Sequence, residues 1–404
     1  MENTSTKYLE CVVHPYEEKQ FRQIPFEIGS DIEQLEIRYR VAEGNVVDLG
    51  LQIGDSLIGW SGGARQHIVI SENFATPGYQ RAPIPHGRGY VLLGLHRVTN
   101  VCHIHIEIVR QRKTPRWLLG DTHLHSEHSD GKLSVESLLS RANALNFDFL
   151  CFTDHNTTSQ NREIDGINSP LSLIPGMELT TTRGHANLLG VAQPIRSFLP
   201  STTDADIADK IAEARYNGAR IGINHPFCDN CPWLLPLIDY DWLELWNGPW
   251  EATTNNEVTF QYWLQQLHNG HHIAVTSGSD FHKEKSLTLP YVSVYSASQQ
   301  RQDILSALAH GRSYMQSDPR IQLHQFTLGD SGIGETSHES RLHIALDVQP
   351  HHQVLLYTQN KIHELPNQNG RINQEIGCAD SRFAFLRVND ACTALLITNP
   401  IFRE

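Results

Sequence analysis

Between residues 117 and 318, short apolar segments alternate with helical patterns, and this alternation constrains the fold more than any other feature of the chain. The apolar segments are WLLGDTH, DFLCFTD, LSLIPGMEL, HANLLGVA, ARIGINH, WLELWN and HIAVTSGSD. Predicted helices cover 204–217, 257–269 and 302–310, and a glycine follows each of them. Because buried strands that alternate with helices form parallel sheets, this region predicts an α/β domain with a parallel sheet or an α/β barrel.

The segments on either side of this region are typical of β-structure. The first part of the chain contains LEIRYRV, QHIVIS, GYVLLGLHRV and VCHIHIEIV, and the last part contains LHIALDV, QVLLYTQ, FAFLRVN and ALLITNP. A basic stretch, RQRKTPR, precedes the α/β region. We therefore expect a sandwich-like module over 1–114, an α/β domain over 115–318 and a second β module over 319–404. The two β modules lack an α/β partner in sequence, so one prediction is that they pack together.

Composition limits the partners that this chain is suited to bind. The 404 residues are 39% hydrophobic and 19% charged, which is typical of a soluble protein of two or three domains. Lys and Arg number 32 against 45 Asp and Glu, so the net charge is −13. This acidity argues against long nucleic acid as the main partner. A small anionic substrate remains compatible, because bound cations would dominate the local field.

The sequence also favours a reduced, cytoplasmic setting without a membrane partner. The first residues lack a basic start followed by an apolar stretch, so no secretory signal is expected. No apolar run is as long as the ~18 residues that a membrane span requires. The seven cysteines are odd in number and lie mostly far apart, which argues against a disulfide framework.

Nine histidines and carboxylates of the α/β region are candidate metal ligands. They are His123, His125, Asp130, His155, Glu178, His185, His225, Asp280 and His282. These side-chain types hold transition metals, and nine ligands suit three ions that share a bridging carboxylate. Most of them follow the ends of predicted strands, where the active sites of barrels form. His123 and His125 lie two residues apart, so an extended chain points both the same way.

The order of these residues resembles that of the PHP (polymerase and histidinol phosphatase) domain. The resemblance covers about half of the chain, from 117 to 318, and depends on HLHSEHSDG, FTDHN, GME, GHANLLG, NHP and SDFH. The flanking β modules and the closing ITNPIF look like the CehA/McbA-type metallohydrolase branch. The resemblance implies a distorted (β/α)7 barrel that holds two or three divalent ions.

The resemblance also divides the nine residues among three ions. The first ion would take His123, His125, Glu178 and Asp280, the second Glu178, His185 and His225, and the third Asp130, His155 and His282. His128 lies two residues before Asp130 and could compete with it for the third ion. Imidazole and carboxylate ligands without thiolate favour Zn, Mn or Fe, and the sequence does not choose among them.

Clustered divalent ions lower the pKa of a shared water and neutralise charge on a phosphoryl or carbonyl oxygen. We therefore predict a hydrolase that uses a metal-bridging hydroxide, with Glu178 and Asp280 holding the reactive ions. Asp154 either orients a ligand or the water, or caps the following turn. Arg183, His128 and Lys283 lie next to candidate ligands and could bind a substrate phosphate, although each is also plausible as a solvated charge. Asn247, after WLELWN, could face the same pocket.

Three functions are compatible with this site. The first is a phosphoesterase that acts on a small phosphomonoester or phosphodiester. The second is a hydrolase of carbamates or carboxylic esters, which the CehA-like resemblance suggests. It would use an apolar pocket, and four tryptophans offer either this pocket or core: Trp233, Trp242, Trp246 and Trp250. The third is a non-catalytic binding protein, for which retention of the full ligand set would be unexpected. Oligomer formation through the β modules is left open.

Two further motifs have plainer interpretations beside their chemical ones. The pair His103 and His105 has ligand spacing but lies in the first β module, outside the α/β region. Cys228 and Cys231 form a C-x-x-C motif just after His225, which is a redox or zinc half-site motif. Because a second such pair is missing from the sequence, the simpler interpretation is a loop beside the pocket that carries two thiols.

Overall fold

The computed structural model describes residues 3–237, 239–283 and 289–404. The chain divides into two compact units. Unit 1 consists of Met1–Pro115, Asn168–Ser172 and Ala297–Gln300, and unit 2 of Arg116–Ile167, Leu173–Ser296 and Arg301–Glu404.

Unit 1 contains two four-stranded antiparallel sheets. Its strands are β1 (Thr4–Val13), β2 (Phe21–Ile28), β3 (Ile32–Arg40), β4 (Val46–Ile53), β5 (Ser56–Trp60), β6 (His67–Ser71), β7 (Gly87–Arg97) and β8 (Cys102–Arg112). Their order is β1-β8-β3-β6 in one sheet and β2-β7-β4-β5 in the other. Side chains of both sheets, such as Ile106 of β8 and Leu49 of β4, belong to one hydrophobic core. This arrangement agrees with the predicted sandwich-like module.

The α/β part of the chain contains five helices among its described residues. Its elements are β9 (Arg116–Leu124), α1 (Val135–Ala144), β10 (Phe149–Phe152), α2 (Ser159–Asp165), β11 (Ser172–Ile174), β12 (Gly176–Thr181), β13 (Gly184–Leu189), α3 (Asp204–Tyr216), β14 (Arg220–Ile223), β15 (Trp242–Asn247), α4 (Asn256–His268), β16 (Ala274–Gly278), β17 (Tyr291–Ser296), α5 (Arg301–Ala309) and β18 (Ser313–Gln316). The three predicted helices correspond to α3, α4 and α5. Thr203 caps α3, because its side chain accepts a hydrogen bond from the Asp206 amide.

One five-stranded sheet carries much of the predicted site, in the order β12-β13-β14-β15-β16. Strands β14, β15 and β16 are parallel, as predicted. Strand β13 is antiparallel to both of its neighbours, so the sheet is mixed. The reason is the connection: only Thr182 and Arg183 separate β12 from β13. A parallel pairing needs a crossover of a dozen or more residues.

Two isolated bridges extend the strand pairing around this sheet. His155, just after β10, forms a parallel bridge with Glu178 of β12. Leu124, the last residue of β9, forms a parallel bridge with Phe281, which follows β16. Strand β9 is itself parallel to β10 and antiparallel to β17. These pairings bring the ends of β9, β10, β12 and β16 close to one another.

The C-terminal strands fall in unit 2, where most of them extend its largest sheet and three form a separate antiparallel sheet. They are β19 (Gln322–Leu328), β20 (Thr336–Ser337), β21 (Arg341–Asp347), β22 (Gln353–Thr358), β23 (Ile362–Leu365), β24 (Arg371–Gly377), β25 (Phe383–Asp390), β26 (Thr393–Thr398) and β27 (Ile401–Arg403). Strand β26 pairs with β18, which joins the C-terminal strands to the α/β part. The three-module boundaries themselves stay a prediction.

In the described part of the chain, none of the helices has the length and apolar character that crossing a membrane would require.

Candidate metal centre

The structure brings Glu178 and the other eight candidate ligands, which come from separate strands and loops, into one cluster. His123 and His125 lie at the end of β9 and just after it, and His155 follows β10. Glu178 and His185 lie within β12 and β13, whereas His225, Asp280 and His282 follow β14 and β16. Asp130 comes from the loop after β9. Distant parts of the sequence therefore supply one cluster of donors.

His123, His125, Glu178 and Asp280 form the most compact group. The two Nε2 atoms of His123 and His125 are 3.2 Å apart. Asp280 Oδ1 lies 3.3 Å from the first and 3.0 Å from the second. Glu178 contributes Oε1 at 3.4 Å from His123 Nε2 and Oε2 at 3.7 Å from His125 Nε2. Four ligand atoms around one tetrahedral zinc would lie about 3.3–3.6 Å apart, so this group has the dimensions of a metal site.

Glu178 also faces two further histidines with the same carboxylate. Its Oε1 lies 3.2 Å from His185 Nδ1 and 3.6 Å from His225 Nε2. The carboxylate is fully buried. One side chain thus contacts the first group and a second pair of imidazoles, which is the arrangement of a bridging ligand.

The remaining candidates form a third, more exposed group. Asp130 Oδ1 lies 3.2 Å from His282 Nε2 and 3.6 Å from His155 Nε2. His155 Nδ1 lies 2.7 Å from Glu178 Oε2, so this group also reaches the central carboxylate. His125 is close enough to offer a further nitrogen to the same group. Asp130 therefore lies where the sequence predicted a ligand.

Electrostatics keeps the central carboxylates charged. Burial raises the pKa of Glu178, but the neighbouring His123 and His185 outweigh it and hold this pKa well below its usual range. The pKa of Asp280 is lowered in the same way, by His123 and His125 against the effect of burial. A buried carboxylate and a partly buried one among several imidazoles suit a divalent cation, so the donor set fits a metal ion.

A buried carboxylate that the sequence analysis missed, Glu244 of β15, orients two of the candidates. His123 Nδ1–H donates to Glu244 Oε1 over 2.8 Å, which leaves the Nε2 lone pair facing Glu178 and Asp280. The backbone N–H of His225 donates to Glu244 Oε2 over 3.0 Å. The available signal was a carboxylate inside the otherwise apolar strand WLELWN, because a buried charge needs a partner.

Two polar neighbours of the ligands were missed as well. Asn224 Nδ2 donates to Glu178 Oε1 over 2.7 Å and to Asn187 Oδ1 over 2.9 Å. Thr180 Oγ1 lies 2.6 Å from His155 Nδ1. These contacts fix the direction of the carboxylate and of one imidazole.

Asp154 holds the loop that carries Asp130. Its Oδ1 accepts hydrogen bonds from the Ser126 amide, the Ser126 hydroxyl and the Ser129 hydroxyl, each over 2.9 Å. Asp154 is fully buried, and these donors lie on the loop before it in sequence. These contacts tie Asp154 to the loop before Asp130, and the two roles weighed for Asp154 stay predictions.

The four candidate substrate-binding residues lie in different surroundings. Arg183 pairs with Asp204, with Nε and Oδ1 2.9 Å apart. His128 contacts Ser159 Oγ and Glu163 Oε2, each over 2.8 Å, so both ring nitrogens have partners outside the ligand groups. Asn247 is buried and donates from Nδ2 to Glu244 Oε2 over 2.9 Å. Lys283 is exposed. Their roles toward a substrate stay predictions.

Two candidate ligands adopt left-handed backbone conformations. The φ angle is 28° at His225 and 50° at Asp280. Residues other than glycine rarely hold such angles, and the strain concentrates at functional sites. At Asp280 the backbone N–H donates to the His123 carbonyl over 2.9 Å, which ties the strained residue to β9.

The two thiols of the C-x-x-C motif contact each other and a candidate ligand. Cys231 Sγ lies 3.1 Å from Cys228 Sγ and 3.6 Å from His225 Nδ1. The hydrogen bond with His225 lowers the pKa of the Cys228 thiol to about 6, whereas burial raises that of Cys231. The motif therefore touches the candidate metal centre directly.

The tryptophans divide between core and surface. Trp242, Trp246 and Trp250 are buried in hydrophobic cores. Trp233 is partly exposed and lines an apolar groove with Ile207 and Ile211 of α3. The run of aromatic residues is therefore mostly core.

Comparison with known proteins places one family within this chain. The model of the PHP domain matches residues 121–285. A curated relative, the 5′-3′ exoribonuclease Rnm of Salmonella typhimurium, is 32% identical over 116 residues, which are 24% of this chain and 40% of that protein. The match thus spans well under half of the relative.

Two solved structures are similar at lower identity. One is a two-domain protein from Bacteroides vulgatus with a predicted PHP-like metal-dependent phosphoesterase, at 16% identity and a TM-score of 0.39, over 71% of this chain and 96% of that one. The other is PsfC from Pseudomonas syringae, at 15% identity and a TM-score of 0.39, over 51% of this chain and 93% of that one.

Proposed function

We propose that this chain is a metal-dependent hydrolase of phosphate esters, because the model of the PHP domain matches residues 121–285. The observation that carries the proposal is that five candidate histidines lie within 3.7 Å of the buried Glu178 carboxylate, namely His123, His125, His155, His185 and His225. Phosphate esters are anionic, and a cluster of cations would attract them to an otherwise acidic chain.

The residues that would hold the ions follow from the three groups. His123, His125, Glu178 and Asp280 would hold one ion, and Glu178 would share a second with His185 and His225. Asp130, His155 and His282 would hold a third. Bound ions of this kind supply an activated water and stabilise charge on the phosphoryl oxygens. Zn, Mn and Fe all suit these donors.

The protein itself supplies orientation. Glu244 keeps the His123 proton on Nδ1, and Asn224 holds Glu178 Oε1 in place. Asp154 fixes the loop before Asp130. Arg183, His128, Lys283 and Asn247 remain candidates for contact with the substrate, of which Arg183 would have to leave Asp204.

We also propose that β9, β10 and β12 to β16 make up a distorted seven-stranded barrel of the PHP type. The support is the pair of isolated bridges, His155 with Glu178 and Leu124 with Phe281, which continue the pairing beyond the five-stranded sheet. The CehA/McbA branch, a cytoplasmic setting and oligomer formation through the β modules also remain proposals.

A second candidate function is the hydrolysis of short oligoribonucleotides. The observation that favours it is the match to a protein named as an exoribonuclease. The net charge of −13 favours a short substrate over a long one. The carbamate or carboxylic ester alternative is less favoured, because three of the four tryptophans that would line its apolar pocket are core residues.

One assay series tests these proposals. Bound metal is quantified, and the protein is assayed with Mn, Zn and Fe against bis(p-nitrophenyl) phosphate, p-nitrophenyl phosphate, p-nitrophenyl acetate, an aryl carbamate and a 5′-phosphorylated trinucleotide. We expect phosphoester cleavage that EDTA abolishes and that the double variant His123→Ala, Glu178→Ala lacks. Activity that survives the double variant, or cleavage of carboxylic esters alone, would overturn the proposal.

A further inference from the structure

The C-x-x-C loop lies against the candidate metal centre in a defined geometry. Cys228 and Cys231 follow β14, and their Sγ atoms are 3.1 Å apart. The S–S bond of a disulfide is about 2.05 Å long, so closing it requires a movement of about 1 Å. Hydrogen bonds from the Cys228 amide to the His225 carbonyl and from the Trp233 amide to the Pro226 carbonyl, each over 2.9 Å, hold the loop around the pair.

The imidazole of His225 lies between this pair and Glu178. Its Nε2 is 3.6 Å from Glu178 Oε1, and its Nδ1 is 3.6 Å from Cys231 Sγ. When Nε2 keeps its lone pair toward Glu178, Nδ1–H donates to the Cys231 sulfur, and this hydrogen bond selects the tautomer that can bind a metal. Closing the disulfide replaces the Cys231 thiol and moves sulfur by about 1 Å, which weakens a hydrogen bond to His225 Nδ1 that is already 3.6 Å long. The redox state of the pair therefore changes what orients His225.

We propose that Cys228 and Cys231 form a reversible disulfide that weakens metal binding at His225 and so switches the hydrolase off under oxidising conditions. This inference rests on the proposed function, which it extends to the regulation of the same site. Cys231 acts in it as a positioning residue, through His225.

Oxidation by a peroxide balances without any further reagent. One thiolate attacks a peroxide oxygen, the O–O bond breaks, and a sulfenic acid and hydroxide form. The second thiolate attacks the sulfenic sulfur, the S–S bond forms and a second hydroxide leaves. With two protons from the thiols, the net products are one disulfide and two waters. A dithiol reverses the reaction by exchange through a mixed disulfide.

The test uses the full chain, freed of metal and treated with hydrogen peroxide and then with dithiothreitol; Mn is added for each measurement. Peptide mass spectrometry detects the 228–231 disulfide, and calorimetric titration with Mn measures metal affinity in both redox states. Hydrolysis of bis(p-nitrophenyl) phosphate is a third readout. We compare Cys228→Ser, which keeps the Cys231 sulfur, with Cys392→Ser, a matched control at an exposed cysteine.

We expect oxidation to form the disulfide in the parent chain and in Cys392→Ser and to weaken Mn binding about tenfold, as loss of an orienting partner does. Dithiothreitol should restore it, and Cys228→Ser should show no reversible response. Failure to form the disulfide, or a disulfide with unchanged Mn affinity, would overturn the inference. If the chain cleaves no phosphate ester, the proposed function fails, whereas the disulfide and Mn affinity still decide this inference.

Discussion

Two histidine pairs with identical spacing have opposite surroundings in this molecule. His103 and His105 lie in β8, and His123 and His125 lie at the end of β9 and just after it. In β8 the apolar residues alternate toward the core, so both histidines face solvent. The His103 side chain is 58% exposed, and its Nδ1 lies 2.5 Å from Glu10 Oε1. The side chains of His123 and His125 are both fully buried.

The difference shows what spacing alone can and cannot specify. Two residues of separation point both rings of each pair the same way in an extended chain. His103 meets a carboxylate of the neighbouring strand at an exposed position, Glu10 of β1. The second pair lies among three carboxylates that come from other parts of the chain: Glu178 of β12, Glu244 of β15 and Asp280 after β16. Water screens an exposed His–Glu contact, so the contact contributes little to the stability of the fold. The buried carboxylates of the second site need groups of opposite charge beside them.

Replacing one histidine of each pair should give the largest difference between the two sites. We expect His123→Ala to lose at least one bound metal and to lower kcat/KM at least about 100-fold, because it removes a candidate ligand. The matched variant His103→Ala should keep both the metal content and the activity. Elemental analysis and a phosphodiester assay measure the two. An equal loss in both variants would contradict the distinction drawn between the pairs.

Neutralising the carboxylate behind each pair should give a smaller difference. Glu244→Gln keeps a hydrogen-bond acceptor for His123 Nδ1 but removes its charge, so we expect a loss of about 10–100-fold in metal affinity. Glu10→Gln makes the same change beside His103 and should leave metal affinity unchanged. Calorimetric metal titration of both variants checks this. Unaltered affinity in Glu244→Gln would mean that Glu244 does not orient His123.

The smallest effect is expected at a carboxylate outside both sites, Asp318. It is buried and pairs with Arg320 through two hydrogen bonds, Nε to Oδ1 over 2.8 Å and Nη2 to Oδ2 over 2.7 Å. The Arg320 guanidinium lowers the pKa of Asp318. The pair therefore stabilises the fold above the unfolded pKa of about 3.9, and this stability is lost as the pH falls through the lower folded pKa.

Asp318→Asn isolates that charge effect. At pH 7 we expect the free energy of unfolding of the variant to be about 1 kcal/mol lower than that of the parent chain. This difference should shrink below pH ~4. Urea unfolding at several pH values measures it. A stability difference that grows toward low pH would contradict the claim that the charged form of Asp318 stabilises the fold.

The sequence predicted the candidate ligands better than the residues that orient them. His155 and His225 follow apolar strands, and this position marks them without any knowledge of the fold. Glu244 lies inside such a strand and Asn224 precedes a candidate ligand, and neither has a spacing that distinguishes it from an ordinary buried polar residue. Their roles depend on contacts with Glu178 and His123, which lie far away in sequence.

The same limit applies to the fold. Helices α3, α4 and α5 were predictable because each combines a local pattern with a glycine just beyond its end. The pairing of β18 with β26 joins segments far apart in the chain, and no local signal encodes it. The direction of β13 was encoded locally, in the two-residue connection from β12, and that signal was overlooked.

The left-handed backbone at His225 and Asp280 has a consequence for how such a protein can change over time. Each of these angles costs the folded chain about 1–3 kcal/mol, and glycine would hold them at little cost. A lineage released from selection for activity would gain stability by replacing these two residues with glycine. Inactive descendants would then be more stable toward unfolding than their active ancestor. Glycines at positions 225 and 280 would identify them.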